Sequence, residues 1–334
     1  MKVDAGLMGG LAEVPERIRE LEAAGYDGAI TAETAHDPFF PLLLAAEHSR
    51  SIQLVTSIAV AFARTPMTLA NIGHDLNAYS KGRFVLGLGS QIQPHITKRF
   101  SMPWSHPAAR MRELILAMRA IWDCWYARKK LEFRGEFYTH TLMTPMFTPI
   151  DTSYGPPKVF LAAVGPLMTE VAGEVADGVI CHAFTTEKYM REVTLPAIER
   201  GLAKSKRSRK DFQVSFPGFV VTGETEKAWS DSRRGVCKQI AFYGSTPAYR
   251  PVLEMHGWGG LQTELNALSK QGQWDKMGEL VDDKILEQFA VVATPDEVIP
   301  KFKARFGDVV DRTTLGFAPG SKTSAQDLIQ KLHA

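Results

Sequence analysis

The chain has 334 residues, 45% of them hydrophobic and 23% charged, the balance of a globular protein long enough to bury a sizeable core without disulfides or a structural metal. Its net charge of +2 is too near neutral to suggest nucleic acid or an anionic membrane surface as partner, and no apolar run approaches the ~20 residues of a membrane span. The separated cysteines Cys124, Cys181 and Cys237 fit a reducing cytoplasm better than a disulfide framework, and the absence of Cys-x-x-Cys and His-Glu-x-x-His leaves zinc unsupported.

Residues 3–7 read as a first strand and not as a signal peptide, because an acid comes early and no long apolar stretch follows. Val14, Ile18, Leu21 and Ala24 share one helical face, and Gly25 stops that helix. Residues 27–31 form the next strand, 39–49 a helix, and 53–59 a strand rich in branched side chains. Pro66 opens a helix to Tyr79, Lys81-Gly82 breaks it, and residues 83–88 are a strand again. This alternation predicts a parallel sheet with crossover helices.

The rhythm stops after Gly89. Residues 90–107 are polar and proline-bearing, a loop of a length that is usually functional. Residues 108–126 are a strong helix whose stripe of Met111, Leu114, Ile115, Met118, Ile121, Trp122 and Trp125 predicts core packing. An excursion over 131–149 carries a hairpin around Gly135. A strand over 158–163, a helix over 166–176, a strand over 178–182 and a helix over 187–203 follow. The basic run 204–210 reads as a solvated loop. Residues 212–222 read as a seventh strand and 224–286 as a mostly helical insertion. Thr294-Pro295-Asp296-Glu297 starts a helix to Phe306, and 313–317 would be the eighth strand. Eight strands with helices between them predict one (β/α)8 TIM barrel over 1–334, with insertions after the fourth and seventh strands. An open doubly wound sheet with a small extra domain is the alternative.

In such a barrel, chemistry gathers where the strands end. After the second strand, Glu33, His36 and Asp37 offer acid–base groups, a capped polar turn, or, more weakly, metal ligands. After the third, Arg64 could bind an anion, cap a carboxylate or form a surface ion pair with Asp75 or Glu47. After the fourth, the glycines of Gly87-Leu88-Gly89-Ser90-Gln91 would let a flat ligand approach the backbone, or make a tight strand exit. Ile92 stands where a third glycine would complete a dinucleotide fingerprint. After the fifth, Gly165 leads into a helix whose free amides suit an anion. After the sixth, Cys181 and His182 point to opposite faces, so they cannot pair as nucleophile and base. No Gly-x-Ser-x-Gly elbow of an α/β-hydrolase occurs.

Several stretches resemble the luciferase-like monooxygenase superfamily, and within it the coenzyme F420-dependent oxidoreductases. They are Gly25-Tyr26-Asp27-Gly28-Ala29, Arg64-Thr65-Pro66-Met67-Thr68-Leu69-Ala70, and Gly82-Arg83-Phe84-Val85-Leu86-Gly87-Leu88-Gly89, the most specific. Gly165-Pro166 with Ala176-Asp177-Gly178, and the region from Phe289 to Val298, add to them. The resemblance implies a bacterial luciferase-like barrel with a deazaflavin (coenzyme F420) or, alternatively, FMN across its mouth. It implies a cis peptide between Ser57 and Ile58 behind the ring, ring contacts from Val60, and loop contacts from Ser90, Gln91 and His95. It also implies a phosphate turn made by Val164, Gly165, Leu167 and Met168, and an acid near the ring at Glu33. Thr34 stands where the sugar-phosphate dehydrogenases of this group carry histidine, and Ile92 where they carry glutamate. The implied chemistry is therefore not glucose-6-phosphate oxidation, with His36 a substitute proton donor beside Glu33 and His95. The readings that result are an F420-dependent hydride-transfer enzyme, an FMN-dependent monooxygenase, and a non-catalytic F420- or flavin-binding protein. A cytoplasmic homodimer acting on a small molecule is expected from the resemblance. Trp104, Tyr243 and Trp258 suggest an apolar or aromatic substrate, or equally core packing.

Overall fold

The computed structural model describes residues 1–315 and 324–334. Eight parallel strands surround the core: β1 (Lys2–Gly6), β2 (Gly28–Thr31), β3 (Gln53–Thr56), β4 (Phe84–Gly89), β5 (Lys158–Ala163), β6 (Gly178–Cys181), β7 (Gln213–Ser215) and β8 (Arg312–Thr313). Each pairs with its neighbour in chain order. β8 returns to β1, with Lys2 opposite Arg312 and Val3 opposite Thr313. The sheet is closed, which rules out the open doubly wound alternative.

The crossover helices form where the apolar spacing predicts them: α1 (Val14–Ala24), α2 (Phe39–His48), α3 (Pro66–Tyr79), α4 (Pro107–Ala127), α5 (Pro166–Val175) and α6 (Leu195–Lys204). Gly25 ends α1 in the left-handed region at φ 90°, where a side chain would be strained. The Thr65 hydroxyl caps α3 by accepting the Thr68 N–H at 3.2 Å. The α4 stripe is wholly buried, as core packing requires. After β4 the chain makes a π-helical turn at His95–Arg99 within the expected loop. After α4 it makes the antiparallel hairpin Phe133–Arg134 with Thr139–His140.

Four expectations need correction. The stretch 212–222 is two strands, not one. Pro217 has no N–H to give a ladder and Gly218 turns at φ 62°, so Phe219–Val221 leaves the barrel and pairs with Ala290–Val292 in a separate parallel sheet. The helix over 187–203 contains a π-helical turn at Met190–Thr194, just before Pro196, which has no amide to give the preceding turn. The run 204–210 is not simply solvated. Arg207 donates to the Ala176 carbonyl at 2.7 Å, and Arg209 to the Val309 carbonyl at 2.9 Å and Asp311 at 2.8 Å. The eighth strand is Arg312–Thr313, one residue earlier than read, and Gly316 and Phe317 of that reading lie outside the described residues.

The insertion after β7 holds α7 (Glu226–Gly244) and four shorter helices up to Phe289. Its apolar cluster includes Val221, Ile240, Leu265 and Phe289 and reaches Phe184 and Tyr189 beyond β6. The helix α8 (Val298–Phe306) follows the turn at Thr294, and α9 (Ala325–His333) packs near β1. No described helix is long and apolar enough to cross a membrane.

Inside the barrel, Arg312 and Asp4 form a forked ion pair. Nε donates to Oδ2 and Nη2 to Oδ1, both at 2.7 Å, with side chains 1% and 3% exposed. The remaining guanidinium nitrogen donates to Gln53 on β3 at 2.8 Å and to Gln213 on β7 at 3.4 Å. A Cβ on Gly28 would lie 2.3 Å from Asp4 Oδ1 and 2.8 Å from Arg312 Nη2, so that glycine makes room for the pair. Removing one member leaves an unpaired buried charge, which typically costs about 3–5 kcal/mol. Asp4→Ala is expected to lower the unfolding free energy by that amount in urea titration. The double change Asp4→Leu with Arg312→Met should recover most of it. An Asp4→Ala protein as stable as the parent would show that the pair does not hold the barrel.

Candidate active site

Strand alternation sets what faces the barrel axis. Ile30, Val55, Phe160 and Ile180 line a small interior cavity of about 40 Å³ above the ion pair, together with Ser57. The next inward positions towards the strand ends are therefore Ala32, Ser57, Ala162 and His182. They form the floor of the mouth.

β3 and β4 meet there with no room for side chains. A Cβ on Gly87 would lie 1.8 Å from the Thr56 carbonyl oxygen, and one on Gly89 would lie 2.8 Å from the Ile58 side chain. The Thr56 hydroxyl donates to the Gly87 carbonyl at 2.7 Å and accepts its N–H at 2.8 Å. The glycines thus admit the neighbouring strand. This is the tight strand exit that the segment also allowed. The Ser57–Ile58 peptide is cis, and beyond it Ala59–Val60 rejoins β4 opposite Leu88 and Gly89. The turn from Gly89 places Gln91 at φ 60°, and the Gln91 side chain accepts the Ile92 N–H at 3.0 Å. The Ser90 hydroxyl donates to the Gln91 carbonyl at 3.1 Å.

The acid after β2 is held through one of its two oxygens. Glu33 Oε2 accepts the Val60 N–H and a guanidinium N–H of Arg64, each at 2.7 Å, and its side chain is 7% exposed. Its own N–H donates to the Ile58 carbonyl at 3.1 Å. Arg64 extends its other fork to Asp37 at 3.0 Å and lies over the Phe39 ring. Arg64 therefore caps two carboxylates, and the alternative pairing with Asp75 or Glu47 is not formed. Asp37 also accepts the Phe39 N–H at 2.8 Å, capping α2. With Glu33 and Asp37 engaged by Arg64, the weaker metal reading fails. No group of three or more His, Cys, Asp or Glu side chains among the described residues is placed to hold a metal ion. His36 is exposed on the same loop, and His95 is exposed at the start of the π-helical turn after β4.

At the end of β5, Val164 leads to Gly165, the N-cap of α5, with Pro166 in the first turn. The amides of Gly165, Leu167 and Met168 belong to the opening turn, where no helical carbonyl is available to them. A Cβ on Gly165 would meet nothing within 4 Å, so the space before these amides is open. The donor set suits an anionic group.

His182, one position beyond β6, carries more of the site than its sequence position suggests. Its Nδ1 accepts the Phe184 N–H at 3.0 Å. Its ring packs edge-on to Tyr243 with centroids 4.5 Å apart and at a tilt to Tyr249 at 4.7 Å. Burial pushes its pKa down to about 4, so the ring is neutral at ordinary pH. Cys181 faces the helices, buried, as its opposite parity requires. The one available sequence signal was parity with the inward Ile180; the two tyrosines lie some sixty residues on and could not be read. Of the three aromatics suggested for a substrate, only Tyr243 joins this group. Trp104 packs on Phe62 and Trp258 on His256.

The sequence profile described as luciferase-like monooxygenase matches residues 2–312. A protein of Mycobacterium tuberculosis of uncharacterized activity is 52% identical over 330 residues, covering 99% of this chain and 97% of its own length. The F420-dependent glucose-6-phosphate dehydrogenase of Intrasporangium calvum is 29% identical over 328 residues, covering 93% and 90%. The coenzyme F420-dependent tetrahydromethanopterin reductase of Methanopyrus kandleri shares the fold at a TM-score of 0.77 and 21% identity, over 98% of this chain and 96% of that one. The chain belongs to the luciferase-like monooxygenase family and has its TIM-barrel fold.

The engagement of Glu33 generates a prediction. Hydrogen bonds to a charged group contribute about 1.5–3 kcal/mol, so Glu33→Ala should lower stability by that order in chemical denaturation. Glu33→Gln, which can still accept from Val60 and Arg64, should lose less. Equal losses in the two variants would show that the accepted hydrogen bonds are not what Glu33 contributes.

Proposed function

We propose that this luciferase-like protein is a coenzyme F420-dependent oxidoreductase that transfers a hydride between the deazaflavin and a small organic substrate. The observation that carries the reading is the paired geometry at the mouth. The Ile58 side chain lies against Gly89, and the helix start at Gly165 is open and amide-lined. These fit a flat ring with an anionic tail. The likeness to relatives named for F420 favours the deazaflavin over FMN.

When bound, the cofactor would supply the hydride chemistry; the protein positions and screens. Ser57, Ile58 and Val60 back the ring, held rigid by Thr56, Glu33 and Arg64. The Gly165, Leu167 and Met168 amides receive the phosphate, with Val164 leading into their turn. Ser90, Gln91 and His95 border the ring from the β4 loop. Glu33 acts by fixing the bulge, because both its strong contacts are internal. His36 and His95, exposed beside the mouth, are the groups left to exchange a proton with solvent. Thr34 and Ile92, where the sugar-phosphate dehydrogenases of the group carry histidine and glutamate, support a substrate other than a sugar phosphate. A homodimer belongs to the same reading.

The FMN-dependent monooxygenase reading has its support in the family's name. Absorption spectra and the mass of ligand retained on purification, followed by titration with F420 and with FMN, separate the two. F420 is expected to bind more tightly and to be turned over with electron donors or acceptors. Tight FMN binding with no affinity for F420 rejects the proposal, and F420 binding without turnover across a broad panel favours a binding protein. Gly165→Asp should put a carboxylate before the phosphate amides and weaken F420 binding at least about tenfold, the equivalent of about 1.4 kcal/mol. Unchanged affinity would remove that turn from the site.

A further inference from the structure

The groups above account for a cofactor but leave unexplained the cluster on the opposite wall of the mouth. His182 is inward-facing by parity with Ile180, which lines the interior. Because Nδ1 accepts the Phe184 N–H, the neutral ring carries its proton on Nε2. Among the described residues, neither Nε2 nor the hydroxyls of Tyr243 and Tyr249 has a hydrogen-bond partner. The three rings pack on one another, with 6.4 Å between the tyrosine centroids. The wall is backed by Phe184, which stacks on Tyr249 and Phe289. Two elements of the insertion thus reach over the barrel to hold one histidine.

We propose that His182, Tyr243 and Tyr249 form a neutral aromatic subsite that takes an uncharged substrate through a carbonyl or hydroxyl oxygen, with His182 Nε2–H as the donor. None of these three unpaired tips is fully buried, so on an apolar wall they stand open to water and to an oxygen ligand that replaces it. The wall offers no cation. Arg250, next to Tyr249, is turned to Glu254 at 2.6 Å, and burial alone sets the low pKa of His182. A carboxylate or phosphate would lose its hydration here with nothing to offset it. The aromatic faces suit a flat apolar body beside the acceptor. The subsite rests on the reading that substrate enters this mouth, but not on which cofactor lies there.

Equilibrium dialysis of acetophenone and of benzoate, which share a ring and differ in charge, tests this on the whole protein with and without added F420. The His182 imidazole ¹⁵N resonances are followed in parallel. Acetophenone should bind and shift the Nε2 resonance; benzoate should not. The titratable groups packed on His182 are the phenols of Tyr243 and Tyr249, so acetophenone binding should be flat from about pH 5.5 to 8, above the lowered His182 pKa. His182→Leu should weaken it about five- to tenfold, the scale of one neutral hydrogen bond. His182→Gln, which keeps a donor, should restore most of it. Tyr249→Phe and the ketone–benzoate comparison on the unaltered protein decide the matter if His182→Leu does not fold. Stronger benzoate binding, no acetophenone binding, or full affinity in His182→Leu overturns the proposal. Acetophenone binding that survives when F420 fails to bind would reject the cofactor reading and leave the subsite standing.

Discussion

The ion pair between Asp4 and Arg312 joins the first barrel strand to the last, and the remaining architecture is arranged around it. The β8 strand is two residues long, so its ladder to β1 contributes few backbone hydrogen bonds. A guanidinium that also reaches Gln53 and Gln213 ties β1, β3, β7 and β8 at one height. The height of each strand decides which residue stands in the layer above. That layer holds Ser57 and His182, and with them the floor of the mouth. Gly28 belongs to the same arrangement, since any side chain there would meet the pair.

Above that layer the mouth is built by close backbone approach. Thr56 grips Gly87, Ile58 lies against Gly89, and Glu33 holds Val60 and Arg64. Glu33 and Asp37, which the sequence offers as acid–base groups, are both tied to Arg64, Glu33 through Oε2 alone. The mouth also presents backbone amides at Gly165, an imidazole without a charge at His182, and the phenols of Tyr243 and Tyr249.

The insertion after β7 has a cluster of its own, and its tyrosines complete the wall around His182. The departure of Phe219–Val221 from the barrel makes this possible. Pro217 and Gly218 end the ladder and send the chain outward to pair with Ala290–Val292. The helices hung between those two strands return Tyr243 and Tyr249 to the strand ends.

Much of this was legible in order of residues. The helical stripes of α1 and α4, the stop at Gly25 and the prolines opening α3 and α5 act within a few positions, and local spacing carries them directly. The glycines at Gly87 and Gly89 left two readings open, because a sequence does not tell whether a glycine yields to a ligand or to the next strand. Partners were the part that spacing could not supply. Glu33 and Arg64 are 31 residues apart and Asp4 and Arg312 are 308 apart; the pairing of β2 with β3 brings the first two within 3 Å, and closure of β8 onto β1 brings the second two. Short-range periodicity and turn chemistry determined most of the elements, and the motifs from Gly25 to Gly178 carried the resemblance to the family. Which polar groups are consumed by the scaffold and which face an open mouth was decided by tertiary structure, because burial and pairing depend on strands that meet only once the sheet has closed.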